Sequence, residues 1–272
     1  MIFSIIIPSR TASNLQACVR SIRERKETCR IIVVDDGILK SEVYHGPHGG
    51  NVAMGSMGVN HAVSMFPGIK PFVFARNINL GIAQAGDDDV ILLNDDTRLL
   101  TDFGFSYLAA IARMQPEYGI ISAGITGAVG NAEQIAQPGT LLRKATHHTI
   151  VFVCVYIRRP VLDLVRGFAE PNKENPADSC EFRPTWLDER FEKYGWDDDD
   201  LCETVRHNLG LKLGVFDGCV VEHGVLPSTY RGPGSASASD LAPNLKRFIE
   251  KWGFRPGERP GAKEAPEPAP KW

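Results

Sequence analysis

Val90, Ile91, Leu92 and Leu93 run directly into Asn94, Asp95, Asp96 and Thr97. A short run of branched apolar residues bounded by polar ones predicts a buried central strand. Two acids at its carboxyl end fall where open α/β sheets place their ligands, in the crevice beyond the strand tips. Paired carboxylates suit a hard divalent cation, Mn2+ or Mg2+, which takes oxygen ligands and commonly bridges to substrate phosphates. The alternative is that Asp95 and Asp96 open a turn or cap a helix predicted over residues 102–114.

Three further groups fall at predicted strand ends or at a helix start: Asp35, Asp36 and Gly37 after residues 31–34; Asp197, Asp198, Asp199 and Asp200 before a helix; and Glu222 and His223 closing a late strand. Acids at successive strand ends of one sheet converge on one crevice. A lone His after a strand is equally a metal ligand or a hydrogen-bonded structural residue. The run 197–200 is either catalytic or an acidic helix start.

The elements that must position these groups alternate in the first half. Strands are predicted over residues 3–7, 31–34, 72–75 and 90–93. Leu15, Cys18, Val19 and Ile22 mark a helix with one buried face, capped by Ser13 or Asn14. A second helix is predicted around 59–65, and a third begins over 79–84. Such alternation argues for a mostly parallel sheet with right-handed crossovers. In the second half, strands are predicted over 120–123, 151–157, 215–216 and 219–221. A helix from about Asp198 carries Leu201, Val205 and Leu209 on one face, and a last amphipathic helix spans 244–252. Residues 169–185 read as a surface excursion and 225–243 as a flexible loop. The Pro/Gly-rich tail from 253 reads as disordered.

A chain of 272 residues with 43% hydrophobic and 23% charged residues can bury a substantial core. The net charge of −3 gives no general attraction to nucleic acid or anionic lipid. Six cysteines without a CxxC pair suggest reduced thiols and a cytoplasmic setting. No run reaches membrane-spanning length, so membrane contact is expected to be at most peripheral.

In this order the motifs resemble the family 2 glycosyltransferases of the GT-A fold. The matching pieces are Ser4 to Ser9, Val33 to Gly37, Asn79 to Ala83, Leu92 to Thr97, Leu187 to Phe191, Tyr194 to Cys202, and His223. They cover roughly residues 2 to 252. The resemblance implies an α/β, Rossmann-like, mostly parallel central sheet with helices on both faces and a smaller acceptor-side subdomain. It divides the chain into a nucleotide-sugar-binding half (1–125), an acceptor and catalytic-base half (126–252) and a tail (253–272). It further implies a metal-dependent inverting transfer from a nucleoside-diphosphate sugar, UDP-linked by preference. The acceptor hydroxyl would belong to a glycan, a lipid-linked glycan or a small molecule.

Residue by residue, the resemblance implies that Asp36 binds the imide of a uracil-like base with Asp35 in support, and that Pro8 and Ser9 line the same pocket. Asp96 would bind the metal in the family's DXD-type position, with Asp95 at the ribose or on a metal-bound water and His223 as a third ligand. Asp198 would be the general base, with Asp197 the alternative in a four-Asp run. Arg76 and Asn79 fall on the donor side. The chain departs from the pattern in two places: Ile78 stands where many members carry arginine, and the residues between Phe168 and Leu187 are extra. The competing readings are a sugar-nucleotide-forming nucleotidyltransferase and a non-catalytic nucleotide-sugar-binding protein. Pro8, Ser9, Arg10 and Thr11 form a short, glycine-free turn, unlike the Gly-rich phosphate loop of a nucleotidyltransferase.

Overall fold

The computed structural model describes residues 3–39, 50–53, 62–128, 131–146, 149–168, 183–224 and 238–258. The first half is built from β1 (Phe3–Ser9), α1 (Ala12–Glu24), β2 (Arg30–Asp35), β3 (Gly50–Ala53), β4 (Ala62–Pro67), α2 (Phe74–Ala85) and β5 (Asp89–Leu93). Then come β6 (Thr97–Leu99), α3 (Gly104–Met114) and β7 (Tyr118–Gly127). The second half adds β8 (Leu142–Lys144), β9 (Cys154–Ile157), α4 (Arg159–Val165), the small pair β10 (Gly167–Phe168) and β11 (Pro184–Thr185), and α5 (Asp197–Glu203). It ends with β12 (Lys212–His223) and α6 (Ala238–Trp252).

Ten strands form one sheet in the order β3-β4-β2-β1-β5-β9-β7-β12-β6, with β8 on β12. Its first-half centre, β4-β2-β1-β5, is parallel, as is the β7–β12 pair. Strand β9 runs antiparallel between β5 and β7 and joins the two parallel blocks. Alternation in β1 sends Ile5 and Ile7 to one face and Ile6 to the other, all three fully buried. On the first face they meet Leu15, Cys18, Val19 and Ile22 of α1 and Phe105 and Leu108 of α3. On the other, Ile6 joins Ile78 and Ile82 of α2, Leu162 of α4 and Leu201 and Val205 around α5. The helices therefore cover both faces.

Several elements differ from expectation for identifiable reasons. Residues 62–67 form a strand rather than the end of a helix, because Val63 and Met65 alternate inward beside β2. The segment 72–75 enters α2, which is one helix from Phe74. Its buried face contains Asn77 and Asn79, polar residues that break the apolar periodicity. Helix α1 starts on Thr11 with no side-chain cap, not on Ser13 or Asn14. The two late strands are one, β12, whose register shifts between Phe216 and Val220, where Asp217 turns to Arg143. Helix α6 begins before Asn244 and carries Pro243. The surface excursion, the loop before α6 and the end of the tail lie mostly outside the described residues.

Gly81 marks the closest approach of α2 to the sheet. A Cβ there would overlap Ile6 Cγ2 and sit 3.3 Å from Val34 Cγ2. Alanine gains about 1 kcal/mol of helix propensity over glycine, but overpacking a rigid core costs about 1–3 kcal/mol. Ile6 is fully buried mid-sheet and has no space to yield, so the clash dominates. Gly81→Ala should lower the urea midpoint by the equivalent of about 1–2 kcal/mol. An unchanged or higher midpoint would show that the helix stands off the sheet.

Candidate active site

Parallel pairing brings the carboxyl ends of β1, β2 and β5 side by side, with Ser9 in register with Asp35. Ser9 ties two acidic loops together. Its hydroxyl donates to Asp95 Oδ2 at 2.5 Å, and its carbonyl accepts from the Asp36 amide at 2.7 Å. Asp35 accepts from the amides of Gly37 (2.7 Å), Ile38 (2.5 Å) and Leu39 (2.9 Å). It therefore builds the turn that presents Asp36. The Asp36 carboxylate is engaged by the Lys70 ammonium, which also donates to the Asp36 carbonyl at 2.7 Å. Lys70 is largely exposed while the Asp36 side chain is almost fully covered, so a ligand approaching Asp36 meets Lys70 first. Pro8 is buried within β1.

Asp96 sits on the turn between β5 and β6, and the antiparallel register of β6 on β12 sets His223 opposite Thr97. His223 Nε2 lies 3.3 Å from Asp96 Oδ1. Its Nδ1 lies 2.6 Å from the carbonyl of Ala128, and the Ala128 amide donates back to the His223 carbonyl at 2.9 Å. A carbonyl only accepts, so Nδ1 carries the hydrogen, and in the neutral ring Nε2 is then an acceptor facing a carboxylate. Two acceptors facing each other at this distance call for a cation between them, a proton or a metal ion. A ring nitrogen tied to a backbone carbonyl is also the usual support of a metal-ligating histidine. Asp95 instead turns to Ser9, and among the described residues no cluster of three His, Cys, Asp or Glu side chains forms a metal cage.

The acid run opens α5 from a strained loop: Lys193, Gly195 and Trp196 have φ of +56°, +99° and +68°. Asp197 is buried; its Oδ1 accepts from the Gly195 amide at 3.0 Å, and its Oδ2 has no hydrogen-bond partner among the described residues. Burial, with the Asp198 charge adding to it, pushes the Asp197 carboxyl up to about 8. Burial also raises the carboxyl of Asp198, which accepts from the Asp199 amide at 3.0 Å and the Phe152 amide at 3.4 Å. Asp199 is raised by burial and by Asp198, and it accepts from the Thr149 hydroxyl. Asp200 is committed elsewhere, to Lys251 Nζ and Trp252 Nε1, both at 2.8 Å.

The segment 149–153 links this run to the Asp95–Asp96 turn, since the Asn94 amide donates to the Val153 carbonyl at 2.9 Å. Gln134 takes the Val151 amide at 2.9 Å and returns a bond to its carbonyl at 3.0 Å. Asp95, Asp96, His223 and Asp198 are thereby brought to one rim of the sheet. Arg76 and Asn79 face Glu189 instead. Asn79 accepts from the amides of Trp186 and Leu187 and donates to the Leu187 carbonyl and Glu189 Oε1, all within 2.9 Å, so its amide is fully used. Arg76 Nε lies 3.5 Å from Glu189 Oε2, beside Arg183.

Lys70, Gln134 and Asn244 were not singled out from sequence. Asn244 had a signal: a polar residue one turn before Phe248 on the apolar side of the last helix. The described cysteines are free, with Cys180 outside the described residues. No described helix is long and apolar enough to cross a membrane.

No family model matches the chain. Among curated proteins it is similar to the uncharacterized protein y4gI of Sinorhizobium fredii (strain NBRC 101917 / NGR234), 26% identical over 194 residues, a match spanning 61% of this chain and 20% of that protein. Among solved structures it is similar to GalNAc-T7 crystallised with UDP, GalNAc and Mn2+, with a TM-score of 0.65 and 15% identity over 93% of this chain and 48% of that one. It is also similar to S. aureus TarS 1-349 in complex with UDP-GlcNAc, with a TM-score of 0.56 and 12% identity over 94% of this chain and 67% of that one. The chain thus spans about a fifth of the curated relative and about half of GalNAc-T7. Its fold is the GT-A fold, with a Rossmann-like α/β sheet.

The charge state of the acid run is testable on the chain alone. An acid whose folded pKa exceeds its unfolded value holds its proton more tightly in the native state. Its contribution is full below the unfolded carboxylate range, about 4, and is lost as pH rises toward 8. The slope is at most about 1.4 kcal/mol per pH unit. Asp197→Asn should therefore be more stable than the parent at pH 8 and similar to it near pH 4–5, by urea titration. Parallel stability curves for the two proteins would show that Asp197 is ordinary.

Proposed function

We propose that this chain is a glycosyltransferase of the family 2 kind, moving a sugar from a nucleoside-diphosphate donor, UDP-linked by preference, to an acceptor hydroxyl with inversion. One observation carries the reading: the Asp96–His223 pair and the Asp198 carboxylate lie at one rim of a GT-A sheet, joined through residues 152–153. The halves 1–125 and 126–252 would serve donor and acceptor respectively.

Asp96 and His223 fit a Mn2+ or Mg2+ ion, a carboxylate oxygen and an imidazole nitrogen being ordinary ligands for manganese. When bound, that ion would neutralise the charge developing on the leaving diphosphate. Asp36 would take the base imide once Lys70 yields or shares its carboxylate. Ser9 holds Asp95 toward the donor side. Asp198 would accept the proton of the acceptor hydroxyl as the oxygen bonds to the anomeric carbon and the C–O bond to the diphosphate breaks. Its raised pKa makes it a stronger base than a surface aspartate, provided it is ionised at the working pH. Asp197, one residue before it, is the alternative base.

The test is direct. Thermal stability with UDP, GDP and dTDP, each with and without Mn2+, should rise most for UDP with Mn2+, and Asp96→Ala should abolish the metal-dependent part. Asp198→Asn should keep nucleotide binding and lose about 10²–10⁴-fold in turnover. Release of pyrophosphate rather than nucleoside diphosphate would replace this reading with a nucleotidyltransferase. Tight nucleotide binding with no turnover of any sugar nucleotide would make the chain a binding protein.

A further inference from the structure

We propose that Asn244, on the last helix, is a positioning residue that sets the aim of the acid run. The proposal rests on the glycosyltransferase reading for its functional half and on geometry for the rest. The segment leading into α5 holds Lys193 and Trp196 in left-handed conformations that L side chains rarely adopt. Such backbone persists only where its surroundings over-determine it. The Asn244 side chain does this. It is 1% exposed. Its Oδ1 accepts from the Glu192 amide at 2.9 Å, and its Nδ2 donates to the carbonyls of Glu192 (2.7 Å) and Gly195 (3.2 Å). One amide thus substitutes for the backbone partners that a loop of this shape cannot find in itself.

The same helix grips the other side of the run. Lys251 and Trp252 hold both oxygens of Asp200, while on the Asn244 side Arg247 holds the Arg190 carbonyl. Asp197 and Asp198 lie between these two grips and have none of their own from the described side chains of α6. Their direction follows from where Asn244 fixes residues 192–195 and where the C-terminal turn of α6 fixes Asp200. Phe248, one turn after Asn244, is also fully buried, so the helix has apolar burial besides the amide. A buried amide making three good bonds to a strained loop acts on geometry.

The test compares Asn244→Ala with Phe105→Leu, a core truncation on the opposite face of the sheet that controls for general destabilisation. Amide hydrogen exchange reads the loop without turnover: in Asn244→Ala the amides of Glu192, Gly195 and Asp199 should exchange at least about tenfold faster relative to the rest of the chain, and in Phe105→Leu they should not. Transfer kinetics read the consequence. A displacement of an ångström at a reacting group costs up to about 10²-fold, so Asn244→Ala should lose about 10- to 100-fold in kcat with donor KM and UDP–Mn2+ affinity unchanged. Phe105→Leu should keep kcat. Unchanged exchange in 192–199, or equal kcat losses in both variants, would overturn the proposal. A parent chain that binds no nucleotide would overturn the glycosyltransferase reading and this proposal's catalytic half, while the exchange pattern still decides whether Asn244 is the clamp.

Discussion

Carboxylates withdrawn from water must be compensated, and that constraint organises the rim of the sheet. A buried charge is costly unless paired or richly hydrogen-bonded. Asp35 is met by three backbone amides, Asp36 by Lys70, Asp95 by Ser9 and Asp200 by Lys251 and Trp252, while Asp96 faces His223 Nε2 across the place of a proton or a metal ion. Each pairing also fixes the position of a loop, so the geometry of the rim follows from satisfying its acids. Asp197 is the exception, with one buried oxygen unpartnered among the described residues, and its neighbours in the run share its raised titration. Perturbed acids that the fold leaves uncompensated are where chemistry is expected rather than structure.

The two parallel blocks are joined by β9 and by the irregular segment before it. Residues 149–153 form no ladder of their own, yet their backbone groups are met by Asn131, Gln134, Asp198, Cys202 and the Asn94 amide. A buried stretch of this kind is tolerable only because side chains from both halves supply the missing partners. The consequence is mechanical. The turn bearing Asp96 and the helix bearing Asp198 bond to adjacent residues of this segment, Val153 and Phe152, although they come from distant parts of the chain.

Much of this was legible in the sequence because local pattern and global fold agree. The run 90–93 is the buried strand its composition predicts, Leu15 to Ile22 face the core at helical spacing, and the acids do sit at strand ends. The misreadings share a cause. Asn77 hid the start of α2, which the pattern places at 79, because a buried polar residue breaks an apolar stripe, and the partners of Asn79, at 186–189, are far away in sequence. Asp217 split β12 on paper because its partner, Arg143, lies on another strand. Lys70 and Asn244 act through contacts between segments distant in the chain, which periodicity does not report. Pattern reading finds which residues are inside; it does not find which buried polar groups answer one another.

The Asp96–His223 pair shows how far the site depends on backbone register rather than on side chains. His223 reaches Asp96 because β12 runs antiparallel to β6 with His223 across from Thr97, and parallel to β7 with His223 across from Gly127. A slip of one residue would send His223 to the other face of the sheet. Gly127 holds that register: its φ of +83° belongs to glycine, and a Cβ there would overlap the His223 carbonyl oxygen. That carbonyl is the one the Ala128 amide binds, and the Ala128 carbonyl in turn holds the imidazole. The bare backbone at 127 therefore allows the reciprocal pair at 128 and 223, which holds Nδ1 and turns Nε2 toward Asp96. Gly127 carries no functional group, yet the orientation of the imidazole is decided there.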